Sequence, residues 1–258
     1  MLIIIIIIIK TKDKITLNRR VLKSLGYSNN ATEIFVNNRS IVSIDNQTFV
    51  GMRNLKKLHL EFNLLNKLPG DLFHDLVNLE TLHLSHNELE NVSFFNFSSN
   101  LKNLDLTNNK LIFIHEGMFD SLFGLVELNL SANHLNLIGE KAFIQQMNLE
   151  VLDLSVNHLK ELSMKLFEGL RKLTYLDLSY NCLKSLDSAM FSDLFNLKIL
   201  DLSHNRLEVV RLEFFERLSL SSIKYLDLSS NKLVDLDASH FKFLQTDLNI
   251  LFNNKTKF

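Results

Sequence analysis

The chain has 258 residues, 46% of them hydrophobic, and its 28 Lys and Arg against 29 Asp and Glu give a formal net charge of −1. That balance gives no general attraction to nucleic acid or anionic lipid, because phosphate binding draws on a basic stripe. With one Pro and 7 Gly, no stretch reads as a flexible linker, and the apolar content suffices for one continuous core.

Residues 1–9 are Met and Leu followed by isoleucine, closed by Lys10. The run is too short to cross a bilayer, which takes about 20 apolar residues. It reaches the lower end of a signal-peptide core but lacks a basic n-region and a small-residue cleavage site. It reads either as a damaged or incomplete signal sequence or as a low-complexity start-site artefact; if retained and exposed, it is an aggregation hazard. Membrane association is therefore expected only through segments not present in this chain. Residues 10–30 follow with Lys10, Lys12, Lys14, Arg19, Arg20 and Lys23 against Asp13, and Val21, Leu22 and Leu25 fit one face of a short helix. Residues 1–30 thus form an apolar run and a basic leader or cap, solvated on its charged side, over whatever comes next.

From residue 31 to 246 the chain repeats itself. The stretch from Leu149 reads Leu149-x-x-Leu152-x-Leu154-x-x-Asn157-x-Leu159-x-x-Leu162-x-x-x-x-Phe167-x-x-Leu170, and Leu173 opens the pattern again. The Asn recurs as Asn63, Asn87, Asn109, Asn133, Asn157, Asn181, Asn205 and Asn231, at spacings of 24, 22, 24, 24, 24, 24 and 26. Eight full copies begin at Leu55, and a degenerate one over residues 32–54 precedes them, with Ile34, Val36, Ile41 and Ile44 on the Leu positions and Arg39 in place of Asn. A segment recurring at a fixed period is one supersecondary unit that buries its apolar face only by stacking on its neighbours, so the period predicts a solenoid. The Leu-x-x-Leu-x-Leu part alternates with period two, the mark of a short strand with one face inward, and stacked strands make a parallel sheet. The Asn amide, with two donors and two acceptor lone pairs, suits the backbone of the turn and of its neighbour. Ten residues after each Asn stands a Phe (Phe73, Phe97, Phe119, Phe143, Phe167, Phe191, Phe215, Phe241), with Phe49 matching in the degenerate copy; these predict a core spine. The 22-residue and 26-residue units differ after the Asn, so the sheet register is expected to survive while the opposite side deforms. Residues 247–258 break off after one turn's worth of sequence and read as a truncated or degenerate end.

These motifs resemble the leucine-rich repeat family in its 24-residue form, and among its members the extracellular arrays of Toll-like receptors and chaoptin. The resemblance implies an α/β leucine-rich repeat solenoid, a curved horseshoe with the parallel sheet on its concave side. It also implies recognition of ligands rather than catalysis. Arrays of this type usually close their N-terminal end with a cysteine-bridged cap, and Cys182 is the only cysteine in this sequence.

On the concave strands one outward column runs Phe35, His59, His83, Asp105, Asn129, Asp153, Asp177, Asp201 and Asp227, and the next runs from Asn37, Glu61, Ser85 and Thr107 to Ser229. The first half is aromatic and imidazole-bearing and the second acidic. Repeated carboxylates repel, which eases protonation or favours a basic partner; Leu-Asp-Leu-Ser is also simply the common strand sequence of such arrays. Tyr175, Tyr180 and Tyr225, with Asp177, Asp201, Asp227 and His204, are the expected ligand-binding patch, joined by His59 and His83. Asp201, Ser203 and His204 offer the residue types of a catalytic triad, but the same Asp and Ser recur without His, so no enzyme is expected. His134, His158 and Cys182 form a row whose ends stand too far apart for tetrahedral ligation, so neither metal nor cofactor is expected.

Asn-x-Ser/Thr acceptors begin at Asn30, Asn38, Asn46, Asn91, Asn96, Asn129 and Asn254. They favour a secreted or cell-surface protein, against which a cysteine-poor chain suits a cytoplasmic scaffold or regulatory subunit. The expectation is a non-catalytic module that binds a protein or pathogen-derived ligand, and not nucleic acid, on its concave sheet.

Overall fold

The computed structural model describes residues 14–91, 100–234, 240, 242, 244 and 248–252. The Ile-rich start, Lys10, Lys12, Asp13, Asn96, Phe97, Phe241 and Asn254 lie outside these. The chain is a parallel β-solenoid in which one ten-stranded sheet runs in sequence order. Its strands are β2 (Glu33–Phe35), β4 (Lys57–His59), β5 (Thr81–His83), β6 (Asn103–Asp105), β8 (Glu127–Asn129), β10 (Val151–Asp153), β11 (Tyr175–Asp177), β12 (Ile199–Asp201), β13 (Tyr225–Asp227) and β14 (Asn249–Leu251). Each is three residues long, with a Leu at its centre in β4 to β13 and an Ile in β2 and β14. Leu58, Leu82, Leu104, Leu128, Leu152, Leu176, Leu200 and Leu226 are all buried.

Register holds through the irregular units: Leu82 pairs with Leu104 across the short one and Leu200 with Leu226 across the long one. The two extra residues of the long unit go into a helix on the far side, α2 (Leu212–Leu218), which buries Phe214 beside Phe215. Past residue 246 the sheet continues, since β14 pairs in parallel with β13, Leu226 opposite Ile250. This strand escapes the Leu template because Ile250 and Phe252 occupy the positions of Leu226 and Leu228.

At the other end, β1 (Ile15–Leu17) pairs with β3 (Ile41–Ile44) away from the main sheet, and α1 (Arg19–Ser24) buries Leu22. Tyr27 follows, and its hydroxyl accepts from the Phe35 N–H at 2.9 Å and donates to the Phe35 carbonyl at 3.3 Å. The edge strand β2 is thereby capped by a phenol, which satisfies backbone groups that would otherwise invite another strand. The remaining pair, β7 (Phe113–Ile114) with β9 (Leu137–Ile138), lies outside the main sheet.

Two polar ladders hold the turns. In the first, each repeated Asn is buried and its amide donates to carbonyls of its own unit and the preceding one, as Asn87 does to Leu84 and Leu60, both at 3.0 Å. Its Oδ1 accepts from a backbone N–H of the preceding unit, Leu65 in this case, at 3.0 Å. The second ladder is exposed: Asn78, Asn100, Asn148 and Asn196 each donate to a carbonyl one unit back, at 2.7–3.1 Å. Opposite the sheet stands the Phe spine, with ring centroids 6.3 Å apart for Phe49 and Phe73, 6.1 Å for Phe119 and Phe143 and 6.3 Å for Phe167 and Phe191.

One core position breaks the pattern. Gln146 stands three residues after its Phe, where Leu76, Leu122, Leu170, Leu194 and Leu218 stand in other units, and it is fully buried. Its amide donates to the Phe119 carbonyl at 2.8 Å, while its Oε1 has no partner among the described residues. The Phe119 carbonyl also accepts from the Leu122 N–H at 2.8 Å, so it is not left bare if the Gln goes. Replacing a buried unsatisfied acceptor by an apolar group of similar shape removes a desolvation penalty. Gln146→Leu is therefore expected to stabilise the fold by about 1–2 kcal/mol, read as a higher urea midpoint at unchanged slope.

Candidate functional site

The solvent-facing side of the sheet is built from three columns with different burial. In the central column each carboxylate of the second half turns back on its own chain. Asp153, Asp177, Asp201 and Asp227 accept through Oδ1 from the N–H of the Ser two residues on, at 2.8–2.9 Å. Thr107 N–H to Asp105 and Ser131 N–H to Asn129 repeat the bond at 3.0 and 2.9 Å. These are Asx-type turns that end the strand, so the Leu-Asp-Leu-Ser sequence has a local structural use. The neighbouring Ser column is largely buried, Ser203 included. Asp201, Ser203 and His204 accordingly form a turn rather than a triad. The Ser203 N–H is spent on Asp201, and His204 instead stacks on Tyr180.

The three tyrosines are not equivalent, contrary to the expectation of one exposed aromatic patch. Tyr175 and Tyr225 are only partly exposed, and their hydroxyls donate to Oδ2 of Asp177 and Asp227 at 3.1 and 3.2 Å. Burial, with Asp177 adding to it, pushes the Tyr175 phenol well above its ordinary range, and burial with Asp227 raises that of Tyr225. Tyr180 stands at the turn, 53% exposed, with its ring 4.0 Å from that of His204.

Tyr180 belongs to a third column on the turn side of the strands, with Val156 and His204, whose backbone conformation sequence reasoning did not foresee. The residue before each ladder Asn has a φ of 52–57°: Phe62, His86, Asn108, Ala132, Val156, Tyr180, His204 and Ser230. Glycine tolerates this left-handed conformation best and most L-residues disfavour it by about 1–2 kcal/mol, yet no glycine occupies it. In two places the strained column carries stacked rings, Phe62 on His86 at 4.2 Å and Tyr180 on His204 at 4.0 Å. No sequence signal marks the conformation, because Phe, Val and Tyr rarely adopt it.

In the first half the central column is itself a stack: Phe35, His59 and His83 lie with centroids 4.4 and 4.7 Å apart. Burial holds the His59 imidazole below its ordinary range despite Glu61, and neighbouring His83 adds to the effect. His83, 3.7 Å from Asp105, is held above its ordinary range. Burial alone raises Asp105, but His83, the Thr107 hydroxyl and N–H, and Ser85 together outweigh it and bring the carboxyl down to about 2. Further along, burial and the neighbouring Asp177 raise Asp153 and Asp201, against the opposing bonds from Ser155 and Ser203.

A pH dependence follows with a definite sign. A carboxyl depressed in the folded state stabilises it above the unfolded value near 3.8 and loses that contribution as pH falls toward 2. The destabilisation caused by Asp105→Asn should therefore be larger at pH 6 than at pH 2, by about 2 kcal/mol, in paired urea titrations. Equal costs at both pH values would show that the carboxylate is not held by its neighbours.

The other expected residues are dispersed. His134 and His158 stack at 5.7 Å, Cys182 is a free thiol, and among the described residues no three metal-ligating side chains come together. Asn30, Asn38, Asn46 and Asn91 are exposed, whereas Asn129 is half-buried with its Oδ1 held by Ser131. Among the described residues no helix is long and apolar enough to cross a membrane.

Comparison with known proteins completes the description. Toll-like receptor 8 from Homo sapiens is 34% identical over 116 residues, covering 42% of this chain and 10% of that protein. Lumican from Mus musculus is 35% identical over 94 residues, 36% of this chain and 27% of that one. In solved structures, TLR13 in complex with ssRNA13 aligns with a TM-score of 0.75 at 26% identity, over 94% of this chain and 42% of its own. Toll from the Drosophila Toll–Spatzle complex aligns with a TM-score of 0.58 at 25% identity, over 76% and 30%. The chain thus spans less than half the length of each of these proteins. One of these structures contains RNA, so the expectation against nucleic acid, which rested on net charge alone, has no support from the relatives. The family model for the leucine rich repeat matches residues 29–89, 91–135, 147–207 and 195–254. This chain belongs to the leucine-rich repeat family.

Proposed function

We propose that the chain is a non-catalytic recognition module of a secreted or cell-surface receptor-like protein, and that it binds a protein ligand across the concave sheet. The observation that carries this reading is the column of left-handed residues bearing exposed stacked rings. The left-handed turn recurs in every unit and is tied to the next by bonds such as Tyr180 N–H to Ser203 at 3.0 Å, and on this fixed turn Tyr180 and His204 carry stacked rings that stand outside the core. Rigid, half-exposed aromatic rings lose little entropy on binding and make effective interface anchors. Around Tyr180 the ligand meets the partly exposed rings of Tyr175 and Tyr225 and the carboxylates of Asp177, Asp201 and Asp227, which favour a basic surface. Toll in complex with Spatzle offers a precedent for a protein ligand, and receptor names among the relatives accord with this reading.

The test uses the whole chain displayed on beads and a partner identified by cross-linking from conditioned medium. Tyr180→Ala combined with Asp201→Asn is expected to weaken binding of that partner at least about tenfold, the size of one lost interface anchor. Lys141→Ala with Lys165→Ala, in the segments that carry the Phe spine, should leave it unchanged. The reverse pattern would move the binding surface off the sheet. Secretion is tested separately, by mobility shifts on glycan removal that vanish in Asn30→Gln, Asn38→Gln, Asn46→Gln and Asn91→Gln variants.

A further inference from the structure

The first half of the sheet carries a second cluster, distinct from the Tyr180 region. Glu61 lies between the two ring columns: His59 precedes it on the same face, and Phe62 follows it at the turn. Its Oε1 is 3.5 Å from His59 Nδ1, while its Oε2 is buried and, among the described residues, receives no hydrogen bond from any protein group. The side chain as a whole is 17% exposed, so the carboxylate lies just beneath the surface. The rings on either side are open, with Phe35 45% and Phe62 53% exposed.

The other charges nearby are already matched. Glu33 pairs with Lys57 at 2.9 Å, and His83 stands 3.7 Å from Asp105. Glu61 faces His59, whose imidazole burial keeps below its ordinary range, and its charge also reaches His83, which is held chiefly by Asp105. A carboxylate oxygen shielded from solvent without a donor is costly, and a cation that reaches it recovers that cost. Flat aromatic faces beside a carboxylate suit a guanidinium group, which stacks on rings and donates in a fixed planar fork. A nucleic acid strand fits less well, because the Glu61 carboxylate opposes its phosphates and the nearby Lys57 and His83 are already paired with Glu33 and Asp105.

We propose that Phe35, His59, Glu61 and Phe62 form a subsite for an arginine side chain of a protein partner. The proposal deepens the recognition reading by giving the sheet a second anchor point and the partner a guanidinium chemistry. It rests on that reading only for its biological setting, since the probe below needs no partner.

The experiment titrates the full-length, 15N-labelled chain with the peptide acetyl-Arg-Gly-Arg-amide and follows the imidazole signals of the histidines. Saturable shifts at His59 and His83 are expected, with acetyl-Lys-Gly-Lys-amide binding more weakly and acetyl-Gln-Gly-Gln-amide not at all. Glu61→Gln should weaken the arginine peptide by about tenfold or more, in the range of a lost charged contact. Glu88→Gln, in a surface pair with Lys110, should not. Phe62→Ala serves as a second variant, with an expected loss of several-fold, and circular dichroism verifies that each variant is folded. Shifts that fail to saturate, full affinity in Glu61→Gln, or an oligothymidine that shifts these signals while the peptide is silent would each overturn the subsite. Any of these results, with the Tyr180-dependent partner binding intact, leaves the recognition reading standing on its own.

Discussion

Phe167→Ala is expected to destabilise the array by about 3–5 kcal/mol, the usual cost of emptying a buried aromatic site. The ring is fully buried, with the Phe191 ring 6.3 Å away in the next unit and Leu170 and Leu166 buried beside it. A solenoid gives such a defect more reach than a compact core does. Each unit contacts only its neighbours, so stability is a sum of unit and interface contributions. A void at the middle of the spine weakens two interfaces at once and uncouples the units before it from those after it. Urea unfolding followed by circular dichroism should therefore shift to a lower midpoint and broaden toward two transitions. Tyrosine fluorescence should follow the later units, which hold Tyr175, Tyr180 and Tyr225. The matched control is Phe123→Ala, whose ring is among the exposed large apolar side chains; surface changes of this kind stay within about 0.5 kcal/mol. If the two substitutions cost the same, the spine does not hold the units together.

The spine, the Leu strands and the repeated Asn were readable because each is a single residue type at a constant offset. The two irregular spacings were harmless for a related reason, since both fall after the Asn, where no strand pairing depends on length. Other features were written in the sequence but not in the template. The second Asn column precedes a Leu in Asn78-Leu79, Asn100-Leu101, Asn148-Leu149 and Asn196-Leu197, yet its bonds to the previous unit depend on stacking geometry that one unit cannot display. The functional surface was read less well because alternation says only that a side chain points outward. Whether an outward Tyr is open depends on its neighbours: Tyr175 and Tyr225 fold onto the Asp two residues on, while Tyr180 is carried clear by a left-handed backbone. Glu61 shows the same limit, since only its burial in the folded sheet reveals a carboxylate oxygen that, among the described residues, has no donor.

Asn157→Ala should cost about 2–4 kcal/mol, and the origin of that cost can be assigned to one atom. The Asn157 amide donates to the Leu130, Leu154 and Ser155 carbonyls at 3.0, 3.1 and 3.0 Å. None of these carbonyls is bare once the amide is removed. Leu130 still accepts from Asn133 at 3.1 Å, Leu154 from Asn181 at 3.0 Å and Ser155 from the Ala132 N–H at 3.0 Å. The acceptor side has no such redundancy, because the buried Leu135 N–H donates to Asn157 Oδ1 at 3.0 Å and the substitution removes that oxygen. An orphaned buried N–H costs about 1–3 kcal/mol, and the small void left by the amide adds to it. Amide exchange at Leu135 should therefore accelerate far more than exchange at Leu159, whose N–H donates to Asn181. Asn157→Asp separates the two sides, since it keeps the oxygen but turns a carboxylate toward three carbonyls. Its carboxyl should titrate above the ordinary range, so this variant is most stable at low pH and loses stability as pH rises through that raised value. Equal exchange at Leu135 and Leu159 in Asn157→Ala would mean that the ladder is held by its carbonyls rather than by the single N–H.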